Sequence, residues 1–111
     1  MPREITTHVV DGAALNLQIV EDQSGRYVLS GPSGAVAEIV FQKGDPRQEC
    51  NGVGVRELLA VCIDRMQDYQ RGARACPENA ECIENMQRAL AALKHRTINR
   101  IGRKVEGTQS P

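Results

Sequence analysis

Apolar and polar residues alternate in short runs along the first 43 residues. The runs EITTHVV, LNLQIVE, RYVLS and AVAEIVFQ are rich in β-branched residues, and the turn signals DGAA, DQSG, GPSG and KG separate or end them. Connections of only two to four residues favour antiparallel neighbours. We therefore predict a four-stranded antiparallel β-meander over residues 1–43.

A glycine- and proline-rich segment, GDPRQECNGVG, follows the predicted sheet and indicates a loop over residues 44–54. Beyond it, apolar side chains recur at the spacing of one helical face. This stripe predicts a first helix over residues 55–71, with Cys62 as a small core residue. The stripe consists of Val55, Leu58, Leu59, Cys62, Ile63, Met66 and Tyr69.

The stretch CPENAEC begins a second, longer helix. Pro77 suits a first helical turn, where its missing N–H is no loss, and the glutamates suit the positive end of the helix dipole. We predict this helix over residues 77–103, followed by a tail over residues 104–111. Its apolar face is formed by Ile83, Met86, Leu90, Leu93, Thr97 and Ile101.

A sheet followed by two helices predicts an α+β fold, and a chain of 111 residues predicts a single domain, residues 1–111. The chain has no Trp and only three aromatic residues, so its core must be aliphatic. A domain this small leaves much apolar surface in water, and self-association would bury part of that surface.

The charges exclude some classes of partner. Fourteen basic and fourteen acidic residues cancel, which argues against a protein that coats nucleic acid or an anionic membrane.

The N-terminus lacks the apolar region of a secretory signal, and no apolar run approaches the roughly 20 residues of a membrane span. We therefore expect a cytoplasmic protein with reduced thiols.

The two cysteines of CPENAEC suggest a metal site, a disulfide or the mouth of a ligand pocket. Six residues on a helix rise about 9 Å, whereas bridged Cα atoms lie roughly 4.4 to 6.8 Å apart, so a direct disulfide is disfavoured. The chain has no C-x-x-C pair, and His8 and His95 are far apart in sequence. No metal and no cofactor are therefore expected. Catalytic motifs are absent as well, so we expect no enzyme.

With metal binding and catalysis disfavoured, ligand binding is the function that remains to be considered. Tyr69 ends the first helix and Asn79 begins the second, so a short connection brings together an aromatic ring, an amide and a helix N-terminus. These groups suit the base, the base edge and the phosphate of a nucleotide. The alternative is that both residues have only structural roles. Tyr69 is then the last core residue of its stripe, and Asn79 is a solvated residue at a helix start.

The segments GVRELLAVCIDRMQDYQRG, ACPENA, MQRALAAL, HRT and RKVEGT resemble the first-described Thoeris anti-defence family of phages. The resemblance covers residues 39–108. It implies an N-terminal antiparallel sheet with two C-terminal helices. It also implies a non-enzymatic sponge that binds cyclic ADP-ribose isomers, the signals made by bacterial TIR enzymes.

The family's ligand contacts transfer by position to Tyr69, Asn79, Arg96, Thr97 and Arg47. The chain departs from its relatives at Pro77, where a basic residue is frequent, and at Ala92, where many have Trp. The resemblance further implies a possible second site for cyclic di- or trinucleotides, for which the candidates are Arg100, Arg103 and Lys104.

Helix geometry adds a requirement for a partner chain. Arg96 lies seventeen residues beyond Asn79, about 25 Å along one helix, so the two cannot contact one small ligand within one chain. Two second helices that pack antiparallel and cross near Gln87 and Arg88 would bring them together. We therefore expect a homo-oligomer, either a dimer or an assembly of dimers.

Two other functions remain open at this point. From residue 85 to residue 105 there are six Lys or Arg and no acidic residue, so the basic half of the second helix suits a small nucleic-acid-binding regulator. A structural or interaction protein without a small ligand is the third class. The main interpretation expects no DNA or RNA partner and no membrane.

Overall fold

The computed structural model describes residues 1–102, which form a sheet followed by two helices. The elements are β1 (Arg3–Ile5), β2 (Gln18–Gln23), β3 (Arg26–Gly31), β4 (Gly34–Val40), α1 (Val55–Gln70) and α2 (Pro77–Gly102). This confirms the predicted α+β fold with an N-terminal antiparallel sheet and a long second helix. The chain divides into a sheet unit, Met1–Val53, and a helical unit that begins at Gly54. The single domain stays a prediction.

The four strands of the sheet unit are arranged in chain order, each antiparallel to the next. Ile19 is opposite Ile5 on one side and Leu29 on the other. Because residues directly opposite each other on neighbouring strands lie on the same face of a sheet, these three form an apolar row on one face. Tyr27 and Phe41 contact each other edge to face, with ring centroids 5.7 Å apart.

Ion pairs join neighbouring strands. The Arg26 guanidinium pairs with Asp22 and, at 2.6 Å, with Glu38. Arg3 Nη2 lies 2.8 Å from Glu21 Oε1. The pKa of Glu21 is lowered, first because its carboxylate accepts the Gly25 N–H and then because of Arg3. The pairing of opposite charges across strands supports the register.

The first strand is shorter than the run EITTHVV predicts, because the chain turns after Ile5. The Thr6 carbonyl accepts the Val9 N–H at 3.0 Å. The Asn16 amide then bonds to Val10 twice, accepting its N–H at 3.2 Å and donating to its carbonyl at 3.1 Å. Local side-chain hydrogen bonds of this kind compete with a strand ladder.

The predicted loop over residues 44–54 is closed at its base by two amide side chains. Gln42 Oε1 accepts the Asn51 N–H at 3.0 Å, and Asn51 Oδ1 accepts the Lys43 N–H at 2.8 Å. Next to them, Phe41 and Val53 form a parallel bridge. In this bridge the Val53 N–H donates to the Val40 carbonyl at 2.8 Å. We call residues 42–53 the closed loop.

Helix α1 begins where Glu57 Oε1 accepts the Gly54 N–H at 2.9 Å, and the carboxylate is favourable near the positive end of the helix. Ile63, 8 % exposed, is the one buried side chain among residues 1–102. The prediction of Cys62 as a core residue is wrong, because this side chain is exposed. Adjacent helical residues point about 100° apart, so Ile63 turns inward and Cys62 turns outward.

Helix α2 presents a half-buried stripe that consists of Ile83, Met86, Leu90, Leu93 and Thr97. The helices pack against each other. At 16 and 26 residues, they are about 24 Å and 39 Å long. The last third of α2 therefore extends beyond the length of α1. Ile98 and Ile101 in this part are 64 % and 58 % exposed, although the pattern placed Ile101 on the apolar face.

A prediction for the closed loop follows from Gly52. A Cβ atom at this position would lie 2.5 Å from the Phe41 carbonyl carbon and the Val40 oxygen. Backbone atoms cannot move aside as a flexible side chain can. We therefore expect Gly52→Ala to open the Phe41–Val53 bridge and to lower the free energy of unfolding by about 1 to 3 kcal/mol, measured by chemical denaturation.

Gly102→Ala is the matched control, since a Cβ atom there meets nothing within 4 Å. This control should leave the denaturation midpoint unchanged or slightly higher. Equal midpoints for the wild type and both variants would show that the close approach at Gly52 does not constrain the loop.

Candidate functional site

The proposed stacking residue Tyr69 lies near the end of α1 and is half-buried. Two guanidinium groups lie over its ring: the Cζ atoms of Arg65 and Arg74 are 5.0 Å and 5.5 Å from the ring centroid. Guanidinium groups at such distances are attracted by the negative face of the ring. The free protein thus presents this aromatic ring already in contact with cations.

Asn79 lies in the first turn of α2, and its side chain binds the connection between the helices. Asn79 Nδ2 donates to the Arg74 carbonyl at 2.8 Å. On the α1 side, Gln70 Oε1 accepts the Cys76 N–H at 2.9 Å. Two amide side chains, one from each helix, therefore hold the connection of residues 71–76. Arg74 links the two predicted site residues, because its guanidinium contacts Tyr69 and its carbonyl accepts from Asn79.

Asp68 balances part of the positive charge at this connection. Its carboxylate lies 3.5 Å from Arg65 Nη1 and 3.3 Å from Arg71 Nη2. The pKa of Arg65 is raised, first by its hydrogen bond with the Tyr69 side chain and also by the carboxylates of Asp68 and Asp64. Arg65 is therefore a permanent cation beside the ring.

The sequence reasoning missed Arg65 and Arg74. A signal existed for Arg65, because it lies four residues before Tyr69, a spacing that brings helical side chains together. No comparable signal existed for Arg74, because its position depends on the conformation of the connection.

Arg96 and Thr97 lie on α2 as predicted, but far from Asn79. Because α2 is continuous from Pro77 to Gly102, about 25 Å of helix separates Arg96 from Asn79. Arg96 is exposed and Thr97 is half-buried. The structure therefore does not bring these residues to Tyr69 and Asn79 within one chain.

Arg47 lies in the closed loop of the sheet unit, where it binds Asp45. Its backbone N–H donates to Asp45 Oδ1 at 2.8 Å, and its Nη2 lies 3.0 Å from Asp45 Oδ2. The guanidinium hydrogen bond is the main cause of a lowered Asp45 pKa. The Arg47 side chain is 73 % exposed, so the pair lies at the surface of its unit.

The remaining candidates concern thiols and the end of α2. The thiols of Cys50, Cys62, Cys76 and Cys82 are all free. Among residues 1–102, no group of three His, Cys, Asp or Glu is placed to bind a metal ion. No helix in the same part of the chain combines the length and the apolar character that a bilayer crossing requires. Arg100 is half-buried, and Arg103 and Lys104 lie outside the described residues.

Comparison with known proteins places the helices in a family. Residues 33–97 match the hairpin domain of Acb2/Tad1, a stretch that includes β4, the closed loop, α1 and most of α2. The protein "Thoeris anti-defense 1" of Bacillus phage SBSphiJ7 is 39 % identical over 77 residues, which cover 68 % of this chain and 54 % of that protein. The chain thus spans about half the length of this curated relative.

The matched region includes the candidate positions Arg47, Tyr69, Asn79, Arg96 and Thr97. It extends over more than half of the chain and includes the complete connection between the helices. The chain therefore belongs to the Acb2/Tad1 hairpin-domain family.

Proposed function

We propose that this chain is a phage anti-defence protein that sequesters a cyclic ADP-ribose isomer. It binds the signal in the host cytoplasm without degrading it, and a TIR-activated Thoeris effector is left without its activator. Family membership and the relative named Thoeris anti-defense 1 support this proposal. The observation that carries it is the linkage of Tyr69 to Asn79 through Arg74.

Each group at the connection suits one part of such a signal. The Tyr69 ring offers a stacking face for adenine, and base–aromatic stacking is tolerant of the base. Asn79 uses Nδ2 for the Arg74 carbonyl, so its Oδ1 is left as the acceptor for an adenine amino group or a ribose hydroxyl. The N-terminus of α2 supplies backbone N–H groups and a positive dipole end for the pyrophosphate.

Arg96 and Thr97 complete this site from a second chain. Two α2 helices that cross near Gln87 and Arg88 place Arg96 of one chain beside Asn79 of the other. The exposed Ile98 and Ile101, together with a single buried side chain among residues 1–102, support an apolar contact between copies. The assembly is a dimer or is built from dimers.

Arg47, in the closed loop, is a further candidate for a ligand contact because it falls within the family match. A separate site for cyclic di- or trinucleotides uses Arg100 of α2 together with Arg103 and Lys104, which follow it in the sequence. Sequestration needs affinity and abundance instead of turnover, so neither site requires a catalytic group, a metal or a cofactor.

We expect Asn79→Ala to weaken binding because it leaves polar groups of the ligand unpaired, at a cost of about 1 to 3 kcal/mol, or roughly 5- to 150-fold in affinity. Tyr69→Ala should cost a similar amount because it removes the stacking face. Calorimetric titration with cyclic ADP-ribose isomers measures both losses on variants of unchanged mass and melting temperature.

The double variant Cys76→Ser, Cys82→Ser is the matched control at the same helix start. It should bind like the wild type, because neither thiol has a proposed role and the Cys76 N–H that Gln70 accepts is kept. Normal binding by Asn79→Ala together with lost binding by the double serine variant would mean that the thiols, and not Asn79, bind the ligand.

A mixing experiment tests whether the site lies between chains. Asn79→Ala and Arg96→Ala each weaken both sites of a symmetric dimer. A heterodimer of the two variants carries one site with both substitutions and one site with neither. An equal mixture should therefore recover wild-type affinity at about one quarter of all sites, counted by calorimetric stoichiometry.

Light scattering at micromolar concentration should give at least a dimeric mass for the wild type and for both variants. A monomer that binds ligand, or a mixture that recovers nothing although the subunits exchange, would place the whole site within one chain.

We also expect the signal to leave the protein chemically intact. Heating the purified complex and analysing the released compound by mass spectrometry should return the starting cyclic isomer. Release of linear ADP-ribose, heavier by one water, would instead mean hydrolysis and an enzymatic function.

A further inference from the structure

Three arginines lie around the connection, and among the residues that the structure describes two of them have a carboxylate partner. Arg65 and Arg71 both pair with Asp68. Within residues 1–102 the Arg74 guanidinium pairs with no carboxylate and lies over the Tyr69 ring. In the described part of the chain, the group that attracts the Arg74 charge is therefore an aromatic face, whose field is weak.

The backbone of Arg74 is fixed although its side chain is exposed. Its carbonyl accepts the Asn79 hydrogen bond at 2.8 Å, which ties this residue to the first turn of α2. Whatever the side chain does, its guanidinium stays within reach of that helix start. Glu78 adds an exposed carboxylate to the same turn, so an anion that binds there needs a compensating cation.

The ring contact of Arg74 conflicts with base binding. A base that stacks on Tyr69 needs ring area that a guanidinium now covers, so the two compete for one surface. A cation–π contact in water is weaker than a base stack that also gains hydrogen bonds. A guanidinium that leaves the ring gains far more from a phosphate, which it can bind with two parallel hydrogen bonds.

We propose that Arg74 is an exchangeable cover for the Tyr69 ring. The base of the bound signal displaces the guanidinium from the ring, and the guanidinium then pairs with the pyrophosphate of the same signal. Arg74 thus protects the ring in the free protein and recognises phosphate in the complex. This inference rests on the proposed function and adds to it the residue that distinguishes a nucleotide from a nucleoside.

Two probes separate these roles: the tightest-binding member of a panel of cyclic ADP-ribose isomers, and adenosine, which carries no phosphate. Arg74→Gln should weaken the isomer about 5- to 50-fold, because a charge-assisted contact is lost. The same variant should bind adenosine equally well or better, because the Arg74 guanidinium no longer has to leave the ring and only Arg65 still lies over it. Arg74→Lys should retain part of the isomer affinity, since it keeps the charge but not the two parallel donors.

Salt and a charge change in the sheet unit serve as controls. The affinity of Arg74→Gln for the isomer should fall less steeply with ionic strength than that of the wild type. Arg3→Gln removes the same charge from β1, where its partner is Glu21, and should leave both affinities unchanged. Equal weakening of both probes by Arg74→Gln would indicate a structural role and overturn the proposal, as would unchanged affinity for the isomer.

The exchange itself is visible by NMR. In the free protein the side-chain N–H resonances of Arg74 should be shifted upfield by the ring current of Tyr69, and Tyr69→Leu should abolish this shift. Saturation with the isomer should move them downfield, and resonances that keep their ring-current shift in the complex would overturn the exchange. A wild-type protein that binds no isomer at all would instead defeat the proposed function, and this inference with it.

Discussion

The hydrogen bond from Asn79 Nδ2 to the Arg74 carbonyl fixes the arrangement of the candidate site in the helical unit. It joins the first turn of α2 to the connection after α1, and it thereby sets the position from which the Arg74 side chain reaches the Tyr69 ring. Gln70 reinforces it from the other helix by accepting the Cys76 N–H. An aromatic ring, an amide oxygen and a helix N-terminus are consequently held together in the free protein, which would lower the ordering cost of the proposed binding.

A second constraint is the scarcity of buried surface. Only Ile63 is buried among residues 1–102, and α2 is about 15 Å longer than α1. A helix pair of unequal length leaves apolar side chains without a partner in its own unit. The length of α2 also separates Asn79 from Arg96, so the feature that exposes Ile98 and Ile101 also divides the proposed site between two chains.

The hydrophobic pattern predicts the order of elements and the bounds of both helices to within one residue over the described chain. Those signals are local: a stripe at helical spacing, Pro77 at a helix start, and turn residues between β-branched runs. The pattern fails where side chains form contacts that hydropathy does not record. Asn16 bonds the backbone of Val10 and helps to end the first strand early, and the rotation of α1 exposes Cys62 instead of burying it. The sequence identified Tyr69 and Asn79 as neighbours across a short connection. It did not identify Arg74, because the six residues of the connection carry no periodic pattern from which their conformation could be predicted.

The closed loop also bears on how such a protein diversifies. Gln42 accepts the Asn51 N–H, Asn51 accepts the Lys43 N–H, and Val53 pairs with Phe41 directly after β4. Residues 44–50 are therefore held at both ends and take no part in the strand ladder. Substitutions or insertions at the tip of such a loop are tolerated far better than changes at its base. Substitutions around Arg47 should therefore leave the sheet unit folded, whereas the base of the loop depends on Gly52 and the two amide side chains. In evolutionary terms, the tip of the loop is free to vary while its base is constrained.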